Sequence, residues 1–318
     1  MSSEFELIRR FFARPARSAV LGVGDDCALV APEPGNVLAV TTDMLLAGRH
    51  FFPDADPEKL GHKALAVNLS DLAAMGARPC WALLAIALPE ADDAWLAAFA
   101  RGFFALADRH GVELVGGDTN RGPLAIAITA IGQVPQAQAL RREGARAGDD
   151  VWLSGATGEA ALALAHLRGR ARLEPRALED CLARLHTPEP RVALGERLRG
   201  IASASIDVSD GLLADLGHIA ESSAVGAEVS LELVPRAAAL AACRDETLAR
   251  ACLLAGGDDY ELAFTAPAGR RAELEALARE LGLRLTRIGR IAAGNAGVRL
   301  LDAAGATVPA PAGWDHFR

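Results

Sequence analysis

Six short stretches of this chain end in aspartate on a small or hydroxyl-bearing turn where an apolar run stops. They are Gly22-Val23-Gly24-Asp25-Asp26, Thr41-Thr42-Asp43, Asn68-Leu69-Ser70-Asp71, Gly116-Gly117-Asp118, Asp207-Val208-Ser209-Asp210 and Gly256-Gly257-Asp258-Asp259. Carboxylates repel one another, and buried ones are costly unless paired or metal-bound. A fold that converges these turns therefore needs a cation. Hard divalent cations take oxygen ligands, and Mg²⁺ prefers a few carboxylates plus phosphate oxygens. A single Gly-Asp is an ordinary turn. Repeated glycine-rich turns let the backbone approach a ligand and leave amide groups for phosphate oxygens.

The 318 residues exceed what one hydrophobic core usually fills, so two domains are expected. The polar segment 136–150, with Arg141, Arg142 and Arg146, marks the boundary, giving domains 1–140 and 141–318. With 51% hydrophobic and 23% charged residues, both should be packed and globular. A net charge of −8 and the absence of a basic stripe exclude a nucleic-acid partner. Five scattered cysteines without C-x-x-C spacing fit neither a disulfide framework nor a zinc site. No basic-then-apolar leader pattern opens the chain, and the longest apolar run, Trp81 to Leu88, is too short to span a bilayer. The expectation is a cytoplasmic protein without membrane contact.

Strands and helices interleave along the whole chain, which predicts layered α/β or α+β domains. Strands are expected at 37–42, 81–88, 112–115, 124–134, 151–153, 203–208, 227–233, 260–265, 284–291 and 297–301. Asp56-Pro57 opens a helix to about Met75, in which Leu60, Ala64, Val67, Asp71 and Ala74 share one face. That spacing sets Asp71 on an apolar stripe. Ser3 with Glu6 fits a capping box, Asp92 or Asp93 caps a helix ended by Gly111, and Ser209 or Asp210 caps a helix through Ala220.

No G-x-x-x-x-G-K-[ST] loop is present, and no V-A-I-K or H-R-D element, which excludes P-loop and protein-kinase folds. Lys59 and Lys63 are the only lysines. Phosphate chemistry here must therefore lean on metals, arginines and helix N-termini. Phosphoryl transfer suits such a chain, because it asks for charge neutralisation and little covalent chemistry. The same carboxylates would also serve a metal-dependent phosphohydrolase or a non-catalytic cation-binding scaffold.

Gly22–Ala28, Thr41–Phe51, Lys63–Ala77, Gly116–Thr119, Asp207–Leu212, Gly256–Leu262 and the tail Gly313–Phe317, together and in this order, resemble the thiamine-monophosphate kinase family. That group is related to aminoimidazole-ribonucleotide synthetase. The resemblance implies an N-terminal mixed sheet with helices that dimerises, and a C-terminal α+β domain. It implies ATP-dependent phosphorylation of thiamine monophosphate to thiamine diphosphate, by direct in-line transfer, with several Mg²⁺ ions between the phosphate chains. Carried over by position, Asp26, Thr41, Thr42, Asp43, Asp71, Asp118, Asp207 and Asp210 form the metal shell, the six aspartates being the catalytic set. Gly117, Asp118, Arg142 and Ser209 resemble the nucleotide contacts. His50, Asp258 and Trp314 resemble the substrate contacts. This chain has Asp258 where the family pattern has Glu.

Overall fold

The computed structural model describes residues 4–311, so Ser3 and Trp314 lie outside the described residues. The chain divides into two compact units, Met1–Leu72 with Ala77–Ala137, and Ala73–Gly76 with Gln138–Arg318. Both are α/β in character.

The first unit contains α1 (Glu4–Leu7), β1 (Asn36–Leu46), α2 (Pro57–Ala74, its last two residues grouping with the second unit), β2 (Arg78–Leu88), α3 (Asp93–His110), β3 (Glu113–Arg121) and β4 (Ala125–Pro135). Its mixed sheet runs β1-β4-β2-β3; β4 is antiparallel to both neighbours, and β2 and β3 are parallel. Asp92 caps α3 by accepting from the amides of Ala94 and Trp95, and Gly111 closes it in the left-handed conformation. Leu84, Ile86, Ile126 and Ile128 form the buried face of the sheet. Helices α2 and α3 cross in backbone contact. A Cβ on Gly102 would stand 1.7 Å from the Glu58 carbonyl oxygen, and one on Gly61 would stand 2.1 Å from that of Phe99.

Two of the aspartate turns are not turns. Thr41-Thr42-Asp43 lies inside β1, hydrogen-bonded to β4 along its length, and Gly116-Gly117-Asp118 lies inside β3. The apolar runs stop there because one face of each strand becomes polar, while the backbone ladder continues. Gly117 has φ +147°, and a Cβ on it would meet the Leu84 carbonyl oxygen at 1.9 Å. Its glycine is thus required by β2 passing close behind it.

The second unit contains β5 (Asp149–Ser154), α4 (Glu159–Leu167), α5 (Pro175–His186), α6 (Val192–Leu198), β6 (Ala204–Asp207), α7 (Leu212–Ser222), β7 (Gly226–Ser230), α8 (Ala238–Ala241), α9 (Glu246–Ala255), β8 (Leu262–Pro267), α10 (Arg271–Leu281), β9 (Leu285–Ala292), β10 (Gly297–Leu301) and β11 (Thr307–Val308). Its sheet runs β11-β10-β7-β9-β5-β8-β6. Val151, Leu153, Ile206, Ala263, Val229 and Ile288 line one face and pack with Leu216, Ile219 and Leu253 of the helices. Strand β8 begins at Leu262 instead of residue 260, because Asp258 and Tyr260 hold positive φ values that no strand accommodates.

The opposite face carries charge. Buried Asp150 accepts from Arg271 Nε at 2.6 Å and from Arg287 at 3.4 Å. Hydrogen bonding from Arg271 holds its carboxyl below the usual range in spite of burial. A carboxyl depressed on folding adds stability above its unfolded pKa of about 4, and that stability is lost as pH falls through the lower folded value. At pH 7 Asp150→Asn should unfold at lower temperature than the parent. The difference should shrink below about pH 4, as thermal scans between pH 2 and 7 would report. Parallel curves across that range would count against the pairing.

Candidate active site

In the first unit, the pleat of β1 sends Thr41 and Asp43 to one face and Thr42 to the other. The Thr41 hydroxyl hydrogen-bonds the Asp71 carboxylate, and the Asp43 amide donates to Asn68 Oδ1 at 3.0 Å. Asn68 is fully buried, and its Nδ2 donates to the Ala64 carbonyl one turn back, which fixes the amide orientation. Asn68 and Asp71, three residues apart on α2, thus grip β1 at Asp43 and Thr41. The half-buried Asp71 on its apolar stripe is explained by this grip. Asn68 is a positioning residue outside the set expected from the sequence. Its signal was the i, i+3 spacing to Asp71.

The Thr42 hydroxyl instead pairs with Thr129 across the β1–β4 ladder at 2.8 Å. Asp118 is in register with Ala85, which is paired with Ala127, so its side chain shares Thr42's face of the sheet, opposite Asp43. Asn120 donates to its carboxylate. Asp26 is exposed on a loop where its amide donates to Asp25 Oδ1 at 2.8 Å; Asp25 is the turn former. His50 closes the turn after β1, its Nδ1 accepting from the Leu46 amide at 3.0 Å. A neutral ring so held carries its proton on Nε2.

In the second unit, Asp207 ends β6 and is buried. The following turn, Val208 to Gly211, interlocks with residues 255–261. Ser209 O accepts from the Asp258 amide at 3.0 Å, Val208 O from the Tyr260 amide at 2.8 Å, and Glu261 O from the Val208 amide at 2.8 Å. A Cβ on Gly257 would meet Ser209 O at 2.4 Å. This interlock brings Ser209 and Asp210 beside Asp258. The Tyr260 hydroxyl donates to Asp258 Oδ1 at 2.9 Å. Asp258 sits at φ +69°, a conformation its short side chain tolerates better than a longer one does.

Neither Ser209 nor Asp210 caps α7. The cap comes from within the helix: Asp215 Oδ2 accepts from the amides of Ser209, Asp210 and Gly211 at 3.0, 3.1 and 3.2 Å. Burial pushes the Asp215 carboxyl up to about 7 against the pull of these donors. Two further carboxylates of the 256–262 segment are structural. Asp259 receives the Gly158 amide at the start of α4 at 2.8 Å. Glu261, only 1% exposed, is held by Ser154 and by both Nε and a terminal nitrogen of Arg191. Arg142 is exposed, and its carbonyl accepts from the Ser223 hydroxyl at 3.2 Å; flanking residues Arg141, Glu143 and Arg146 line a cavity of about 480 Å³.

Among the described residues, no three His, Cys, Asp or Glu side chains gather into one metal cage. The donors offered are hard oxygens in pairs, such as Thr41 with Asp71. Mg²⁺ keeps waters and completes its sphere from phosphate oxygens, so this donor chemistry fits it better than a dedicated cage would.

Residues 24–134 match the AIR synthase related protein N-terminal domain, and residues 146–301 match its C-terminal domain. The match places the chain among two-domain proteins of that class. The thiamine-monophosphate kinase of Salmonella typhimurium is 43% identical over 99% of this chain and 98% of its own length. The crystal structure of the Stenotrophomonas maltophilia thiamine-monophosphate kinase is 51% identical, covers 92% of each chain and superposes with a TM-score of 0.85. AaThiL complexed with AMPPCP and TMP is 32% identical over 93% of this chain and 92% of that one, with a TM-score of 0.78. The chain belongs to the thiamine-monophosphate kinase family.

Proposed function

We propose that this chain transfers the γ-phosphoryl group of ATP to the phosphate of thiamine monophosphate, releasing thiamine diphosphate and ADP. A phosphate oxygen of the monophosphate attacks the γ-phosphorus in line as the bond to the ADP oxygen breaks, with no phosphoenzyme. The observation that carries the reading is the grip of α2 on β1. It holds Asp43 and Asp71 beside one another through Asn68 and Thr41. Support also comes from the related AaThiL complex, which holds AMPPCP and TMP.

Thr41, Asp43 and Asp71 on one face of the first unit's sheet, Thr42 and Asp118 on the other, Asp26 on its loop, and Asp207 and Asp210 of the second unit would hold separate Mg²⁺ ions, which when bound neutralise phosphate charge. In this reading Gly117, Asp118, Arg142 and Ser209 contact the nucleotide, and His50, Asp258 and Trp314 contact the thiamine phosphate. Glu261 is buried against Ser154 and Arg191, so Asp258 is the carboxylate of this segment assigned to the substrate.

The chain pairs with a second copy through the first unit. Val40 (62% exposed) and Met44 (57% exposed) form an apolar row on β1, which is an edge strand with one neighbour. A cytoplasmic setting fits five unpaired cysteines. No helix among the described residues is long and apolar enough to cross a membrane.

The six aspartates of the proposed shell repel both one another and phosphate, so a cation has to stand between them. ADP release from ATP and thiamine monophosphate should therefore stop in excess chelator and return with added Mg²⁺. Undiminished turnover in chelator would contradict the assignment.

A further inference from the structure

We propose that Asp215 is a positioning residue for the nucleotide and metal side of the site, an inference that rests on the phosphotransfer reading above. Three amides converging at the start of a helix ordinarily make a phosphate site. Here the chain fills that site with its own carboxylate. Asp215 Oδ2 accepts from Ser209, Asp210 and Gly211 within 3.2 Å, and the residue is 3% exposed in the first turn of α7. The turn is clamped from behind as well. Gly211 has φ +120°, and a Cβ there would stand 2.8 Å from the Ala255 backbone.

The consequence is chemical. All three amides of the turn are committed inward and do not meet phosphate oxygens. The Ser209 carbonyl is committed too, to the Asp258 amide at 3.0 Å. Ser209 is left to act through its hydroxyl, and Asp210 through its carboxylate or carbonyl. Asp215 therefore converts a helix N-terminus that would bind phosphate directly into one that presents oxygen ligands to a cation. It also fixes Ser209, and through Ser209 O it sets the height of Asp258.

Calorimetry of the full chain with Mg²⁺ and a non-hydrolysable ATP analogue tests this without turnover. Asp215→Asn leaves only a neutral, weaker acceptor for three amides at once and turns the second oxygen into a donor, so the turn loosens and the Kd of the magnesium nucleotide should rise about tenfold or more. Leu216→Ala, on the same helix and fully buried, should lower the unfolding temperature and leave that Kd unchanged. Asp215→Glu keeps the charge one methylene out of place and should give an intermediate Kd, which preserves the test if the Asn variant does not fold. An unchanged Kd in the Asp215 variants, or an equal loss in Leu216→Ala, would overturn the proposal. If the parent binds magnesium nucleotide, shows the Asp215 effect and makes no thiamine diphosphate, the kinase reading falls and the positioning role stands.

Discussion

Asp71→Asn should lower the rate of phosphoryl transfer by on the order of a thousandfold, with the unfolding temperature nearly unchanged. Asparagine keeps the side-chain volume, and its carbonyl oxygen still accepts from the Thr41 hydroxyl, so the grip of α2 on β1 survives. What disappears is the negative charge that would hold Mg²⁺ against the phosphates. The pairing also explains why the effect should sit in kcat more than in the KM for thiamine monophosphate. Asp71 lies on the helix-facing side of the sheet with Asp43, while His50 closes the turn after β1. Steady-state kinetics and a thermal melt on the same preparation check both halves. Near-normal turnover in Asp71→Asn would remove the central ligand from the account.

Gly102→Ala should be the most damaging conservative change in the first unit. The added Cβ would stand 1.7 Å from the Glu58 carbonyl oxygen and 2.7 Å from its carbonyl carbon. Both atoms are helix backbone, so the clash is relieved only by moving α2 away from α3. The expected loss is roughly 3–5 kcal/mol, at the upper end for a core overpacking change. Because α2 also carries Asn68 and Asp71, the residual folded protein should lose activity in step with the displacement. Gly217→Ala offers the contrast. It lies inside α7, where an added methyl would have nothing within 4 Å, and alanine there should stabilise by about 0.5–1 kcal/mol. Chemical denaturation of the two variants separates a packing effect from a general intolerance of glycine replacement. Equal behaviour of the two would contradict the close-crossing argument.

Much of this is legible in the residues alone. Helix α2, its termini and the apolar-face position of Asp71 follow from residue spacing, as does an aspartate cap on α3, for which the structure selects Asp92 over Asp93. The order of strands and helices follows from alternating apolar runs. Three features do not follow, each because a distant partner decides it. Thr41-Thr42-Asp43 reads as the end of a strand, but β4 carries the ladder on to Leu46. Ser209 and Asp210 read as helix caps, but Asp215, a residue inside the helix, takes their amides. Gly117 reads as a phosphate-loop glycine, and the close passage of Leu84 demands it independently. The 256–262 segment shows the same limit. Its three acidic residues look alike in sequence, yet Asp259 and Glu261 are consumed by Gly158 and Arg191, and Asp258 stands beside Ser209. Local pattern fixes which elements form, and long-range hydrogen bonds decide which carboxylates are left for chemistry.

The measurement that bears most directly on the account is phosphorus NMR of the purified protein with ATP, Mg²⁺ and thiamine monophosphate, alongside a sample with thiamine in place of the monophosphate. The account predicts thiamine diphosphate and ADP in equal amounts from the monophosphate, and no phosphorylated product from thiamine. Inorganic phosphate appearing with ADP, and no thiamine diphosphate, would contradict it and make the same carboxylates a site for attack by water.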